Sequence, residues 1–256
     1  SFHAFAVSLS SRVGTGNLAG VASAIFVGGP GAVFWMWVMA LFGAATAFVE
    51  ATLAQLYKRK GADSFYGGPA YYMQMGLHKP WMGVVFAVLI TLTFGVANQV
   101  VQSNTLCAAL ADAFDTNQAW IGVVLSVSTL IIVFGGIRRI SHFASIVVPF
   151  MAIGYILLAL VVVLLNITRL PDMFLLIVRS AFGLEQAVGG AIGMAVMQGV
   201  KRGLFSNEAG EGSAPNAAAI ATTSHPVKQG LLQALGVFAD TLVICSCTAF
   251  IILLSG

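Results

Sequence analysis

Long uncharged stretches decide what this chain can become. Ile121 to Ile137 and Val147 to Leu165 contain no charged side chain. Runs of this kind suit a bilayer, whose hydrocarbon core takes about 20 residues of helix to cross. Backbone amides in lipid must bond within their own segment, so such runs form helices rather than loops. Composition agrees, with 59% hydrophobic and 8% charged residues, against about 25% charged in a soluble domain. The net charge of +3 comes from cations between apolar runs rather than on one basic face, which excludes a nucleic-acid partner.

Counting apolar residues places crossings near 1–28, 31–57, 81–112, 118–137, 143–166, 186–224 and 229–254. The amphipathic segment 167–185 is too charged to cross and reads as a helix lying in the interface. Lys58, Arg59, Lys60, Lys79, Arg138, Arg139 and Lys228 fall in loops of one parity, and the loops of the other hold Arg169 and Arg179. Lysine and arginine are retained in the cytoplasm, so the amino end is expected inside a cell (inner) membrane. Cys107, Cys245 and Cys247 sit in apolar runs without metal-finger spacing and read as small core or lipid-facing residues.

The chain also repeats itself. With a shift of 190, RVGTGNLAGVASA at 12–24 falls on RGLFSNEAGEGSA at 202–214, with six of thirteen positions identical. Arg12 pairs with Arg202, Asn17 with Asn207 and Gly20 with Gly210, and the same shift aligns Glu50 with Asp240. An odd number of crossings separates the copies, so they enter the membrane from opposite sides, as in an inverted-topology repeat. The expected architecture is an all-α polytopic membrane protein. Residues 1–166 form a first five-helix repeat, 167–185 an interfacial extracellular segment and 186–256 the first two helices of a second repeat, which three further helices are expected to complete.

Each copy interrupts an apolar span with glycine and polar residues, at Gly14 to Asn17 and at Gly203 to Gly212. Unwound backbone at membrane depth is tolerated where it lines a cavity or is buried in protein, and paired broken helices mark transporter sites. Close helix packing through small residues, or a cytoplasmic loop over 201–212, is the alternative. Free amides at the start of a half-helix suit a carboxylate, and free carbonyls near Val13 and Gly14 suit Na+ or an ammonium group. Glu50 and Asp240 are acids embedded in spans and must face the bundle interior. Either they form structural ion pairs with Arg12 and Arg202, or they couple a cation or proton. Asn104 reads as helix-to-helix glue, and GGPAYY at 67–72 as a tight cytoplasmic turn.

The stretches GTGNLAGVASAI, GGPGAVFWMW, GGPAYYM, QSNT, RGLFSNEAGEGSAP and HPVKQG, with FADT after them, resemble the alanine or glycine:cation symporter family of bacteria and archaea. The resemblance implies an inverted-repeat leucine-transporter-like fold and sodium-coupled, or proton-coupled, symport of a small neutral amino acid such as alanine or glycine, with no organic cofactor. By motif it implies substrate contacts at Thr15, Gly16, Gln102, Phe205, Ser206 and Asn207, with Phe205 limiting the side-chain pocket. The candidates for cation binding or coupling are Gly14, Asn17, Glu50 and Asp240. Glu211 stands where the motif has an apolar residue. An ion channel and an intramembrane enzyme using Glu50 and Asp240 are the rival classes.

Overall fold

The computed structural model describes Leu9 and residues 12–61, 65–183 and 189–255. Helix α1 (Gly16–Gly28) opens with a π-helical turn at Gly16–Gly20, and α2 (Gly31–Leu56) follows within a few residues. A two-stranded antiparallel hairpin joins β1 (Arg59–Lys60) to β2 (Phe65–Tyr66), with Arg59 opposite Tyr66. Next come α3 (Pro69–Met75), α4 (Pro80–Phe114), α5 (Gln118–Val133) and α6 (Gly136–Leu165). After a single 3-10 turn the chain forms α7 (Leu170–Ala181), α8 (Gly189–Asn207), α9 (Ser213–Ile220) and α10 (Pro226–Ser255).

Local chemistry sets these boundaries. Pro80 and Pro226 occupy first helical positions, where a missing N–H costs nothing. Asn117 caps α5 by accepting the Ala119 amide at 2.9 Å, and Asp115 ends α4 in the left-handed conformation. Two boundaries differ from the sequence reading. The GGPAYY segment is not merely a turn: Gly68, at φ 118, starts α3 from Pro69. Helix α6 begins at Gly136, seven residues before the expected span, because the short Phe134–Gly135 connection lets helical geometry run through Arg139.

Among the described residues four helices are long and apolar enough to cross a membrane: α2, α4, residues His142–Leu165 of α6, and α10. Helices α1 and α5 are shorter apolar helices. Along α2, Ala40, Ala44, Ala47, Ala51 and Ala54 are buried in a 4-3-4-3 spacing, one helical face of small residues that lets α8 and α10 approach closely. Val21 and Ala24 of α1, Val33 and Met36 of α2, Met173 and Ile177 of α7, and Cys245 and Ala249 of α10 form the main core. In α7 the buried Met173, Ile177 and Ala181 share one face, turned to the core, and Asp172 and Arg179 lie off it, so the helix is amphipathic. Helices α4 to α6 turn leucine and valine outward, with Leu89, Val124 and Leu164 each more than half exposed, as suits a lipid solvent.

Candidate functional site

The two breaks foreseen in the sequence are present, but they do not fall at equivalent positions. In the first copy the backbone bends at Val13 and Gly14, then enters the π turn. In the second, α8 runs unbroken to Asn207 and the irregular segment is 208–212. The difference lies in the residues that follow the paired asparagines. Glu208, Gly210 and Gly212 all have positive φ, at 52°, 87° and 81°. Their counterparts are Leu18, Gly20 and Ala22, and alanine and leucine resist the left-handed region, so the first copy continues as helix.

The breaks bring helices together. A Cβ built on Gly16 would stand 3.3 Å from the Cα of Ser206 and 3.4 Å from the Phe205 ring, and one on Gly14 would stand 2.8 Å from Oε1 of Gln102. Thus Gly14, Gly16, Gln102, Phe205 and Ser206 meet around the start of α1. Val13, Thr15 and Gln102 line a cavity of about 2180 Å³ between α1, α4, α5 and α6.

Beside them lies a buried polar knot. Asn17 donates through Nδ2 to Oδ1 of Asp240 at 2.6 Å and accepts the Gly14 amide on its Oδ1 at 2.9 Å. Ser206 Oγ donates to Oδ2 of Asp240 at 2.9 Å, and Thr241 Oγ1 reaches the same oxygen at 3.2 Å. The carboxylate is fully buried, and its donors come from α1, α8 and a π turn of α10 at Ala239–Cys245. Such π turns turn backbone and side chains out of helical register and recur at functional sites.

Other expected residues take different places. Asn207 accepts the Ala209 amide at 3.0 Å and reaches Thr241 Oγ1 at 3.4 Å, so its side chain is engaged in holding the break. Glu50 accepts the Gly210 amide at 3.1 Å and does not join its repeat partner Asp240. Arg12 is buried. It donates to the carbonyls of Asn207 at 2.9 Å and Gln233 at 3.4 Å, and its charge attracts Asp240, Glu208 and Glu50. Arg202 donates to Ser23 Oγ instead, at 3.1 Å. Asn104 accepts from Gln118, joining α4 to α5 as glue.

The sequence reading missed Thr241, Cys245 and Thr248. The Cys245 thiol is 3.3 Å from Asn17 Nδ2 and 3.1 Å from Ser206 Oγ, and Thr248 donates to the Asn17 carbonyl at 2.7 Å. A signal was there. Asp240, Thr241, Cys245 and Thr248 recur at helical spacing in an otherwise apolar span, so they share one face.

Residues 1–256 all match one family, described as the sodium:alanine symporter family. The chain belongs to the sodium:alanine symporter family. It is 59% identical over 254 residues to the "Probable sodium/glutamine symporter GlnT" of Bacillus subtilis (strain 168), covering 99% of this chain and 53% of that protein. It is 58% identical to the "Amino-acid carrier protein AlsT" of the same organism, again over 99% of this chain and 55% of the relative. It is 43% identical to the "Sodium/proton-dependent alanine carrier protein" of Bacillus sp. (strain PS3), over 100% of this chain and 57% of the relative. The chain therefore spans about half the length of these relatives. Sodium:alanine symporters are transporters and not enzymes, which removes the intramembrane-enzyme reading. Glu50 and Asp240 hold different groups, the Gly210 amide in one case and Asn17 with Ser206 in the other.

Proposed function

We propose that this chain carries the first part of a cation-coupled symporter that moves a small neutral amino acid, alanine or glycine, into the cell with Na+ by alternating access. The observation that carries the reading is the meeting of the bent start of α1 with the end of α8, just before its break, at one buried carboxylate, that of Asp240. In this reading the fold is the leucine-transporter-like inverted repeat, with residues 1–166 as its first half, 186–256 opening the second and the amino end in the cytoplasm.

The helix N-terminus at α1 favours the substrate carboxylate near Thr15 and Gly16, while the Asn17 N–H is held by the Gly14 carbonyl at 3.2 Å. Phe205 packs against Gly16 and bounds the room left for a side chain, which supports a small substrate. Na+ takes the negative charge of Asp240 together with oxygens of Ser206, Thr241 and Asn17. For Asn17 to offer Oδ1 to the ion, its amide must turn and release the Gly14 N–H it now accepts. That N–H then becomes a donor for the substrate carboxylate, so ion and amino acid favour each other, and the coupling is reciprocal by linkage. Asp240 also supports a proton-coupled reading, since a carboxyl group at this place can carry H+, and one relative is described as sodium/proton-dependent.

The test is uptake by the full-length protein in proteoliposomes. Labelled alanine and glycine, with glutamine for comparison, are offered under an inward sodium gradient, an inward proton gradient and neither. Accumulation of alanine or glycine driven by sodium is the expected result. Uptake indifferent to both gradients would overturn the symport reading, and a preference for glutamine would overturn the substrate assignment.

A further inference from the structure

The motif HPVKQG at 225–230 has no place in the site described so far. Three of its residues start α10. His225 accepts the Val227 amide at 3.3 Å as an N-cap, Pro226 takes the first helical position, and Gly230 permits close contact with α2. A Cβ on Gly230 would run into Thr52 Oγ1 and lie 2.8 Å from the Phe48 carbonyl. Gln229 does none of these things. Its side chain is 0% exposed, yet among the described residues neither its Nε2 nor its Oε1 has a hydrogen-bond partner.

A carboxamide brings two donors and an acceptor, and burying them dry is costly. An apolar side chain of similar volume would serve the closed packing better. Gln229 is also the first member of a buried stripe. Gln229, Gln233, Gly236 and Asp240 follow one another at spacings of four, three and four, which puts them on one face of α10. Lys228, next to Gln229, is exposed and marks the mouth of the stripe. Midway, the Gln233 carbonyl accepts from Arg12, whose charge attracts the Asp240 carboxylate at the far end. The first turn of α10, which holds Lys228, is on the lysine-rich side of the bundle, where Lys58 Nζ donates to the Ala221 carbonyl at 2.9 Å.

We propose that Gln229 and Gln233 line the cytoplasmic exit for the coupling cation held at Asp240, an exit that is closed in this conformation and admits water when the inner end of the bundle opens. This rests on the reading of Asp240 as the coupling-ion site. Gln229 acts as a positioning residue. Its amide is unpaired while the exit is shut and gains water when it opens, so it favours opening, and a departing ion passes two carboxamides on its way to bulk water.

The test separates ion release from the rest of the cycle. Net uptake into sodium-free proteoliposomes requires the cation to leave inward on every turn. Exchange of labelled for unlabelled alanine, with equal saturating Na+ on both sides, does not. In the full-length protein, Gln229→Leu is expected to slow net uptake about tenfold, a factor within the range set by one buried unpaired amide. Exchange should stay near that of the unsubstituted protein, and Gln229→Asn should recover most of the net rate. Separately, Gln229→Cys should react with a membrane-impermeant thiol reagent from the cytoplasmic side, above the background of Cys107, Cys245 and Cys247 in the unsubstituted protein, and not from outside. Equal slowing of net uptake and exchange, unchanged net uptake, or no labelling from the cytoplasm would overturn the exit alone. Loss of sodium dependence in the unsubstituted protein would instead overturn the site on which it rests.

Discussion

In the proposed symport Asn17 joins the ion and substrate sites, because its one amide holds both the Asp240 carboxylate and the Gly14 N–H. Asn17→Ala should therefore weaken sodium and amino acid together. Each loss is expected at about 1 to 3 kcal/mol, the cost of leaving a buried polar partner unmatched, or roughly 5- to 150-fold in affinity. Equilibrium binding of alanine across a sodium titration measures both, and a loss confined to one ligand would contradict the shared role. Thr241→Val removes a hydroxyl that reaches Asp240 from within α10 and leaves α1 untouched. It should weaken sodium by about tenfold or less, and alanine binding at saturating sodium should be unchanged. Gly16→Ala places a methyl 3.3 Å from the Ser206 Cα and in contact with the Phe205 ring at 3.4 Å, so the α8 backbone at Ser206 must yield by a few tenths of an ångström. Alanine transport should fall more than glycine transport, and competition assays would register the ratio.

At the scale of elements, the repeat supplies its own control experiment. Gly20 and Gly210 are equivalent by the 190-residue shift, yet Gly20 is helical at φ −63 with no atom within 4 Å of a built Cβ, and Gly210 sits at φ 87. Gly20→Ala should be neutral or stabilising by up to about 1 kcal/mol, since alanine loses less backbone freedom in a helix. Gly210→Ala should destabilise by about 1 to 2 kcal/mol, the penalty for an L side chain in the left-handed region. Thermal unfolding in detergent would show Tm shifts of opposite sign. The sequence made the breaks legible because glycine and polar residues have few reasons to interrupt an apolar span. It did not show that the two copies break on opposite sides of their asparagines. That depends on Ala22 facing Gly212 across the repeat, a single methyl whose cost appears only with the backbone in place. Helix α3 was hidden for a related reason, as Gly68 and Pro69 are turn residues and helix starters alike. Gln102 was legible through the QSNT motif, whereas Cys245 looked like any small core residue until its contacts with Asn17 and Ser206 were visible.

For the whole molecule, the two ends of the bundle carry different chemistry, and that difference orients it in the membrane. At one end, Lys58 follows α2, donates to Gln55 Oε1 at 2.7 Å and to the Ala221 carbonyl beyond α9, and stands over the Phe65 ring of the hairpin. Arg59 and Lys60 of the hairpin, Lys79 before α4 and Lys228 in the first turn of α10 lie at that end. At the other end, Trp35 near the start of α2 donates to the Ala181 carbonyl of α7, which carries Arg169 and Arg179 at its two ends. A surplus of lysine and arginine in short loops keeps those loops in the cytoplasm during insertion. The hairpin and the first turn of α10 should therefore face the cytoplasm, and Asp115, in the turn between α4 and α5, should face outside. Lys60→Cys and Asp115→Cys test this directly, since both positions are exposed and neither touches the site. A membrane-impermeant thiol reagent should label Asp115→Cys in intact cells and Lys60→Cys only in inverted vesicles. The opposite pattern would put the Gln229 mouth outside the cell, and inward movement of sodium through it would then be impossible.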